Sequence, residues 1–148
     1  MDKKNNITLG MRFTDIKVSN YSQYDLQLDF NKEQVSLVEF QSNFQFKVIE
    51  EEERIICLVD VKILMLETNE IFAELKVENI FEIKPFAELI KPNDDKKGFD
   101  IPDAILINLV SLSISTVRGI LSEKLKGTIV QKEIYPLIDP VALFSKGK

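Results

Sequence analysis

The stretch that decides the fold runs from Ile71 to Ile83 and reads IFAELKVENIFEI. Its odd-numbered positions are apolar except for one asparagine, whereas most even-numbered positions are charged. Alternation of this kind is typical of a β-strand with one buried face and one wet face. The stretch therefore predicts an antiparallel sheet that is covered on one face only. Phe72 and Glu74 fall on the face predicted to be wet.

The segments before this stretch predict its neighbours in the sheet. Phe44 to Val48 alternates in the same way, and the glutamates at 50–53 mark a polar turn. Ile55 to Leu66 is apolar in both phases except at Asp60 and Lys62, which predicts a central strand. Together the three segments predict an antiparallel meander.

A further strand is predicted near the N-terminus, with an irregularity in its middle. Apolar residues alternate up to Met11 and Phe13, and the phase then slips by one to Ile16 and Val18. The slip indicates a β-bulge near Thr14. The segment 21–41 that follows stays open between an extra strand and a long connection.

After Pro85 the pattern changes from strand to connection and then to helix. Residues 86–99 predict a long exposed connection, and connections of this length are often functional. Asp100, Pro102 and Asp103 predict the start of a helix that runs to Lys126, with glycine directly after it.

The predicted helix is apolar around most of its circumference, and its polar interruptions are mainly serine and threonine. One face of a sheet buries only one stripe of a helix. The second stripe needs another partner, either a second subunit or the segment 24–41 of the same chain. We expect a homo-oligomer, with the following helix positions at the interface: Leu106, Val110, Ile114 and Val117.

Length and composition favour one globular domain, residues 1–148. The chain is 45% hydrophobic and 29% charged, with a formal net charge of −5. It lacks a basic patch with interleaved aromatics, which argues against nucleic acid as a partner. The first ten residues lack the apolar core of a signal peptide, so we expect a cytoplasmic protein. The apolar segment 134–144 is too short to cross a bilayer, so we expect no membrane insertion.

Residues for the common catalytic and metal sites are missing from the sequence. The chain has no histidine and a single cysteine, Cys57, which the strand pattern predicts to be a buried, inert thiol. Residues 93–100 have the composition of a calcium loop, but Lys97 and Ala104 stand at ligand positions. We therefore predict a binding protein rather than an enzyme, with no metal and no cofactor.

The order of these features resembles the SecB export chaperones and their SecB-like relatives. The resemblance rests on AELKVENIFEIKP at the end of the sheet, a long loop with Pro92, a helix that ends in KGT at 126–128, and a proline-containing return into IDPVALF. It covers about Ile55 to Phe144. It implies an α+β fold, with a four-stranded antiparallel sheet that carries one long and one short C-terminal helix on one face. Asp139 and Pro140 would begin the short helix.

The resemblance also implies a function. Such proteins are ATP-independent holdases, assembled as a dimer of dimers around their long helices, and they hold unfolded polypeptides in apolar grooves. Some pass these clients to the SecA motor, and Phe72 and Glu74 match the docking positions for SecA. The candidates for the groove lining are Phe81, Phe86, Phe99, Ile129, Tyr135, Leu137, Ile138 and Phe144.

Three alternatives stay open at the level of sequence. One is a SecB-like chaperone dedicated to a single partner, such as an antitoxin. Another is a carrier of a small hydrophobic ligand. The third is a purely structural oligomer. The short C-terminal end, SKGK, lacks a long acidic tail, and this weakens the expectation of SecA binding more than that of chaperone activity.

Overall fold

The protein is described here from a computed structural model, which covers residues 10–25, 38–66, 68–94 and 98–136. The predicted short helix after Asp139 lies outside these ranges. So do three of the candidate groove residues, namely Leu137, Ile138 and Phe144, and most of the segment 21–41.

Four antiparallel strands form the main sheet, and they confirm the predicted α+β class. They are β1 (Gly10–Gln23), β2 (Val38–Ile49), β3 (Arg54–Met65) and β4 (Ile71–Lys84). The spatial order is β1-β4-β3-β2, so β3 and β4 are central and β1 and β2 are the edges. The predicted polar turn is a 3₁₀ turn at Glu50–Glu52.

The two faces of the sheet follow the alternation of the sequence. On β3 and β4 the odd-numbered residues face the helix, and most of them are buried, such as Val59, Leu75 and Phe81. The even-numbered residues face the other way and carry most of the charges of these strands. We call the first face the helix side and the second the open side.

The predicted bulge in β1 is confirmed. Phe13 pairs with Phe81, but the next paired residue of β1 is Asp15, which lies opposite Ile80. The extra residue, Thr14, keeps Ile16 on the helix side, opposite Asn79. A second register shift follows Val18. The slip in apolar phase is therefore how the chain keeps its apolar residues on one face across a bulge.

The connection after β4 is more ordered than the sequence predicts. It holds a short helix, α1 (Phe86–Leu89), and a two-strand ladder between β5 (Lys91–Pro92) and β6 (Phe99–Asp100). Phe86 and Ile90 are buried, with 3% and 2% of their surface exposed. The expectation of an exposed connection is therefore wrong for these two residues, because their side chains complete the core.

The long helix, α2, spans Asp103–Lys124 and follows Pro102, close to the predicted limits. The chain turns after it through Gly127, whose φ of 81° is the left-handed conformation that glycine adopts without strain. One stripe of α2 packs against the sheet, and its buried members are Ile105, Leu109, Val110, Ser113, Ile114, Val117 and Leu121. This stripe and the helix side of the sheet form the core of the protein.

Candidate functional site

The candidate groove residues were expected on an accessible apolar surface, but three of them are in the core. Phe81, Phe86 and Tyr135 expose 0%, 3% and 2% of their surface. Phe81 also lies against Phe13, with ring centroids 4.3 Å apart. The expectation of an accessible lining is corrected for these three, because the volume between sheet and helix is filled by their side chains. Phe99 and Ile129 are partly exposed.

Tyr135 fixes the return segment, residues 128–136, to the edge of the sheet. Its hydroxyl lies 2.6 Å from Oγ of Ser42 in β2, and its ring meets Phe40 edge to face at 5.6 Å. Burial raises the pKa of Tyr135, and the hydrogen bond with Ser42 partly offsets that rise. The tyrosine therefore stays neutral and bridges α2's return segment to β2.

Arg118 holds the same segment from the helix. Its Nε donates to the carbonyl oxygen of Tyr135 at 3.1 Å, and its Nη2 donates to that of Pro136 at 3.3 Å. A guanidinium presents its donors in a fixed planar fork, so two neighbouring carbonyls suit it. The chain up to Pro136 is thus held from both the helix and β2.

Ile134 is an accessible apolar residue that the predicted lining does not include. It exposes 72% of its surface, the highest fraction among the exposed large apolar residues of the described chain. Its neighbour Tyr135 points into the core, so the two residues face opposite ways. The sequence carries no signal that separates the two, because Ile134 and Tyr135 are adjacent apolar residues outside any regular element.

The two docking positions differ in exposure. The alternation predicts Phe72 on the open side, but only 5% of its surface is exposed, and it belongs to the core cluster. The backbone N–H of Tyr24 donates to the carbonyl oxygen of Phe72 at 2.9 Å, so the chain after β1 continues alongside this position. The expectation that Phe72 presents a wet docking surface is therefore corrected: it is a core residue.

Glu74 is partly exposed and sits between two partners. The hydroxyl of Tyr24 donates to its Oε2 at 3.0 Å, and Nζ of Lys62 lies 4.0 Å from its Oε1. Glu74 is therefore an oriented carboxylate on the open side, with Tyr24 at one oxygen and Lys62 near the other.

Charges on the open side are paired across strands. Nε of Arg12 lies 2.9 Å from Oε1 of Glu82, and Nζ of Lys76 lies 4.0 Å from Oδ2 of Asp60. The hydrogen bond from Arg12 lowers the pKa of Glu82. A depression of about 260 Å³ on this side is lined largely by polar residues, among them Ser19, Asn43, Gln45, Asp60 and Lys76.

The outward face of α2 is not made of the residues predicted for the oligomer. Val110, Ile114 and Val117 expose at most 4% of their surface and pack on the sheet. The prediction for these three residues is wrong because the sequence of a helix that is apolar all round does not indicate which stripe faces the sheet. Leu106 is only partly buried. Apart from charged residues at the two ends of the helix, the exposed positions are mostly small residues, with one large apolar residue among them: Ala104, Asn108, Ser111, Leu112, Ser115, Gly119 and Ser122.

A small group of polar side chains is buried between β3, β4 and α2. Cys57 and Asn79 are paired residues of β3 and β4, and Nδ2 of Asn79 donates to the carbonyl oxygen of Cys57 at 3.2 Å. Ser113 is fully buried, and within the described residues its Oγ makes no hydrogen bond of ordinary geometry. Burial raises the pKa of Cys57 to about 11, while the nearby Ser113 hydroxyl lowers it slightly.

The raised pKa makes Cys57 a poor nucleophile, because the thiolate is the reactive species. The predicted burial of the thiol is confirmed, and its raised pKa agrees with low reactivity. The ranges 10–25, 38–66, 68–94 and 98–136 contain no group of three or more acidic, cysteine or histidine side chains that could hold a metal ion.

One described helix, α2, is long and apolar enough to cross a membrane by length and composition alone. Its sheet-facing stripe is buried in the core, as in the core helix of a globular protein. Length and composition therefore do not make it a membrane span.

No protein-family model matches the chain, and no curated protein matches it significantly.

Proposed function

We propose that the protein is an ATP-independent holdase of the SecB-like kind, active in the cytoplasm. The observation that carries the proposal is the fold: a four-stranded antiparallel sheet with one long helix across one face is the arrangement that the sequence resemblance implies. The proposal assigns no catalytic residue, in keeping with the unreactive thiol of Cys57.

The client surface must differ from the predicted one, because a client is held by apolar area that stays accessible. Among the described residues we assign this role to Ile134, with contributions from Phe99 and Ile129. Ile134 is presented outward by the anchoring of Tyr135 and Arg118. The candidates at 137, 138 and 144 continue the same segment of the chain.

The test is light scattering of a client that aggregates on refolding, with and without the protein. We expect suppression at stoichiometric amounts without ATP. The substitution Ile134→Ser should weaken this suppression of aggregation, because it removes an exposed apolar side chain and leaves the core untouched. Leu66→Ser is the matched control, since Leu66 is also an exposed large apolar residue, at 45%, but lies after β3. A wild-type protein without any effect on aggregation would refute the holdase.

We further propose that the protein delivers clients to SecA. Because Phe72 is buried, Glu74 is the residue assigned to docking. Glu74→Ala should weaken binding to SecA in a pull-down or by calorimetry. Glu78→Ala is the control, because Glu78 lies on the same side of β4, four residues from Glu74, and is also partly exposed. Equal binding by both variants and the wild type would remove the docking role and leave the holdase intact.

The proposed homo-oligomer uses the outward face of α2. Small side chains at Ser111, Ser115 and Gly119 would let a second helix approach closely, and Leu112 adds apolar area, 40% exposed. A Cβ built on Gly119 meets nothing within 4 Å, so larger residues fit the single chain. We therefore expect Gly119→Leu to dissociate the oligomer in analytical ultracentrifugation, while Gly119→Ala leaves it assembled.

A chaperone dedicated to an antitoxin would give the same folded protein but a narrow client range. A panel of unrelated unfolded clients separates the two. Protection of a single partner and of none of the panel would favour the dedicated chaperone.

A further inference from the structure

The second register shift in β1 lies beside the depression on the open side of the sheet. Val18 pairs with Val77 of β4, but the next paired residue of β1 is Asn20. The extra residue is Ser19, whose hydroxyl donates to the backbone carbonyl oxygen of Lys76 at 3.3 Å. Bulges re-aim side chains and are common next to functional sites. This one brings a hydroxyl to the wall of the depression.

All four strands of the main sheet contribute polar side chains to the depression. Asp60 of β3 lies directly opposite Lys76 of β4 on one side and opposite Asn43 of β2 on the other. Gln45 lines the depression on the β2 side, and Leu58 is a half-buried apolar residue of the same lining. Besides the hydroxyl from β1, the depression therefore offers one carboxylate, one ammonium and two amides around an apolar side chain.

The two charged side chains of the depression are close together but not hydrogen-bonded. Nζ of Lys76 lies 4.0 Å from Oδ2 of Asp60, which is beyond hydrogen-bond distance, and the side chains expose 56% and 36% of their surface. Among the described residues neither charged group makes a hydrogen bond, whereas the carboxylate of Glu74 accepts one from Tyr24. The ammonium and the carboxylate therefore each keep hydrogen-bonding capacity for a ligand.

We propose that the depression binds the zwitterion of a free α-amino acid. The α-carboxylate of the ligand accepts from Lys76, and its α-ammonium donates to Asp60. In an α-amino acid the ammonium nitrogen and the carboxyl carbon are about 2.5 Å apart, so one molecule can reach both members of the 4.0 Å pair. The hydroxyl of Ser19 donates to the backbone and offers its lone pairs as a second acceptor for the ammonium.

The rest of the lining favours an amino acid with a polar, uncharged side chain. The amides of Asn43 and Gln45 can each donate and accept hydrogen bonds, as such a side chain requires. The volume of about 260 Å³ is below the roughly 300–1,000 Å³ of pockets for drug-sized ligands and suits a small molecule. The site shares no residue with the proposed client surface or with Glu74, so it does not depend on the holdase function.

Binding is tested by saturation-transfer NMR with L-glutamine. We expect a dissociation constant on the order of 1 mM, because both charges of the protein are partly exposed to water. Glutaminamide lacks the carboxylate and N-acetylglutamine lacks the ammonium, so each should bind about tenfold more weakly. Backbone amide shifts of labelled protein locate the ligand, and the signals of residues 43–45, 58–60 and 76–77 should move.

Substitutions test the two charged residues separately. Lys76→Gln and Asp60→Asn each remove one charged partner and should weaken the binding of L-glutamine about tenfold. Lys62→Gln is the matched control, because Lys62 also lies 4.0 Å from a carboxylate across the strands, that of Glu74, but does not line the depression. It should bind L-glutamine like the wild type. Circular dichroism melts verify that each variant is folded.

The proposal is upheld if L-glutamine shifts these amide signals saturably and both analogues and both depression variants bind more weakly. It is overturned if L-glutamine does not bind up to its solubility limit, or if either analogue binds as tightly as L-glutamine. Binding of wild-type strength by either depression variant, or an equal loss in Lys62→Gln, overturns it as well. Aggregation assays on the same variants report separately on the holdase, so either proposal can fail alone.

Discussion

The helix side and the open side of the sheet are built from alternate residues of the same strands, yet the environments of their side chains differ. On the helix side Phe81, Val77 and Leu75 are at most 1% exposed and pack in the core. On the open side the neighbouring residues Lys76, Glu78 and Glu82 keep contact with water or with opposite charges. The helix side therefore holds most of the buried apolar residues of the two central strands, whereas the open side carries their charges and buries only a few apolar residues, such as Ile56 and Ile80.

The largest loss of stability is expected when a large side chain is removed from the helix side. Phe81→Ala should lower the free energy of unfolding by about 3–5 kcal/mol, because it leaves a cavity and loses the contact with Phe13. Urea titration followed by circular dichroism measures it. Glu78→Ala, from the open side of the same strand, should change stability by less than about 0.5 kcal/mol. Similar losses for both variants would contradict the division of the sheet.

The next largest effect is the pH dependence of unfolding that comes from the only thiol, Cys57, on the helix side of β3. The folded pKa of Cys57 is raised from 9.0 to about 11, so its neutral form is favoured by folding. The neutral thiol therefore adds to the free energy of unfolding below pH 9. This contribution, about 2–3 kcal/mol, is lost as the pH rises from about 9 to 11. Cys57→Ala lacks this titration. The difference in unfolding free energy between wild type and Cys57→Ala should shrink over this range, and a constant difference would argue against a buried thiol.

A smaller effect is expected from the buried hydroxyl of α2. Ser113→Ala should stabilise the protein by about 1 kcal/mol, because among the described residues this buried hydroxyl has no hydrogen bond of ordinary geometry and lies only near the thiol of Cys57. Ser115→Ala, on the exposed face of the same helix, should gain less than about 0.5 kcal/mol from helix propensity alone. The shift in urea midpoint at constant slope measures both. Destabilisation by Ser113→Ala would indicate that the hydroxyl makes a contact worth keeping.

The smallest effect belongs to the open side. Arg12→Gln removes the donor that lowers the pKa of Glu82, so that pKa should rise towards its ordinary value. Carboxyl-detected NMR titration of Glu82 measures the rise directly. Lys17→Gln is the control, because Lys17 lies on the same strand but lies nearest to Asp15. An unchanged titration in Arg12→Gln would mean that the ion pair does not form in solution.

Much of the sheet could be predicted from the sequence because alternation is a local property. The faces of Ile71 to Ile83 and the bulge at Thr14 follow from which residues are apolar and where the phase slips. The burial of Cys57 follows in the same way. Each of these needs no knowledge of the rest of the chain.

The other features depend on contacts between distant segments. Alternation assigns Phe72 to the open side, but its burial depends on neighbours in space. The inward stripe of α2 could not be read from residues that are apolar all round. The four-residue helix α1 is too short to form alone, and it is stabilised by the burial of Phe86 and Ile90. Thr116 donates to the carbonyl oxygen of Leu112 one turn earlier, whereas among the described residues Ser113 makes no such bond.

The anchoring of Tyr135 also provides the protein with a built-in optical probe. The sequence contains three tyrosines and no tryptophan, so tyrosine emission is not masked by indole. Tyr21 and Tyr24 lie near the surface, whereas the ring of Tyr135 is shielded from water and bonded to Ser42. Release of the return segment from β2 would transfer this one phenol into solvent. The ultraviolet spectrum of the unlabelled protein would then report on the position of the segment that carries Ile134.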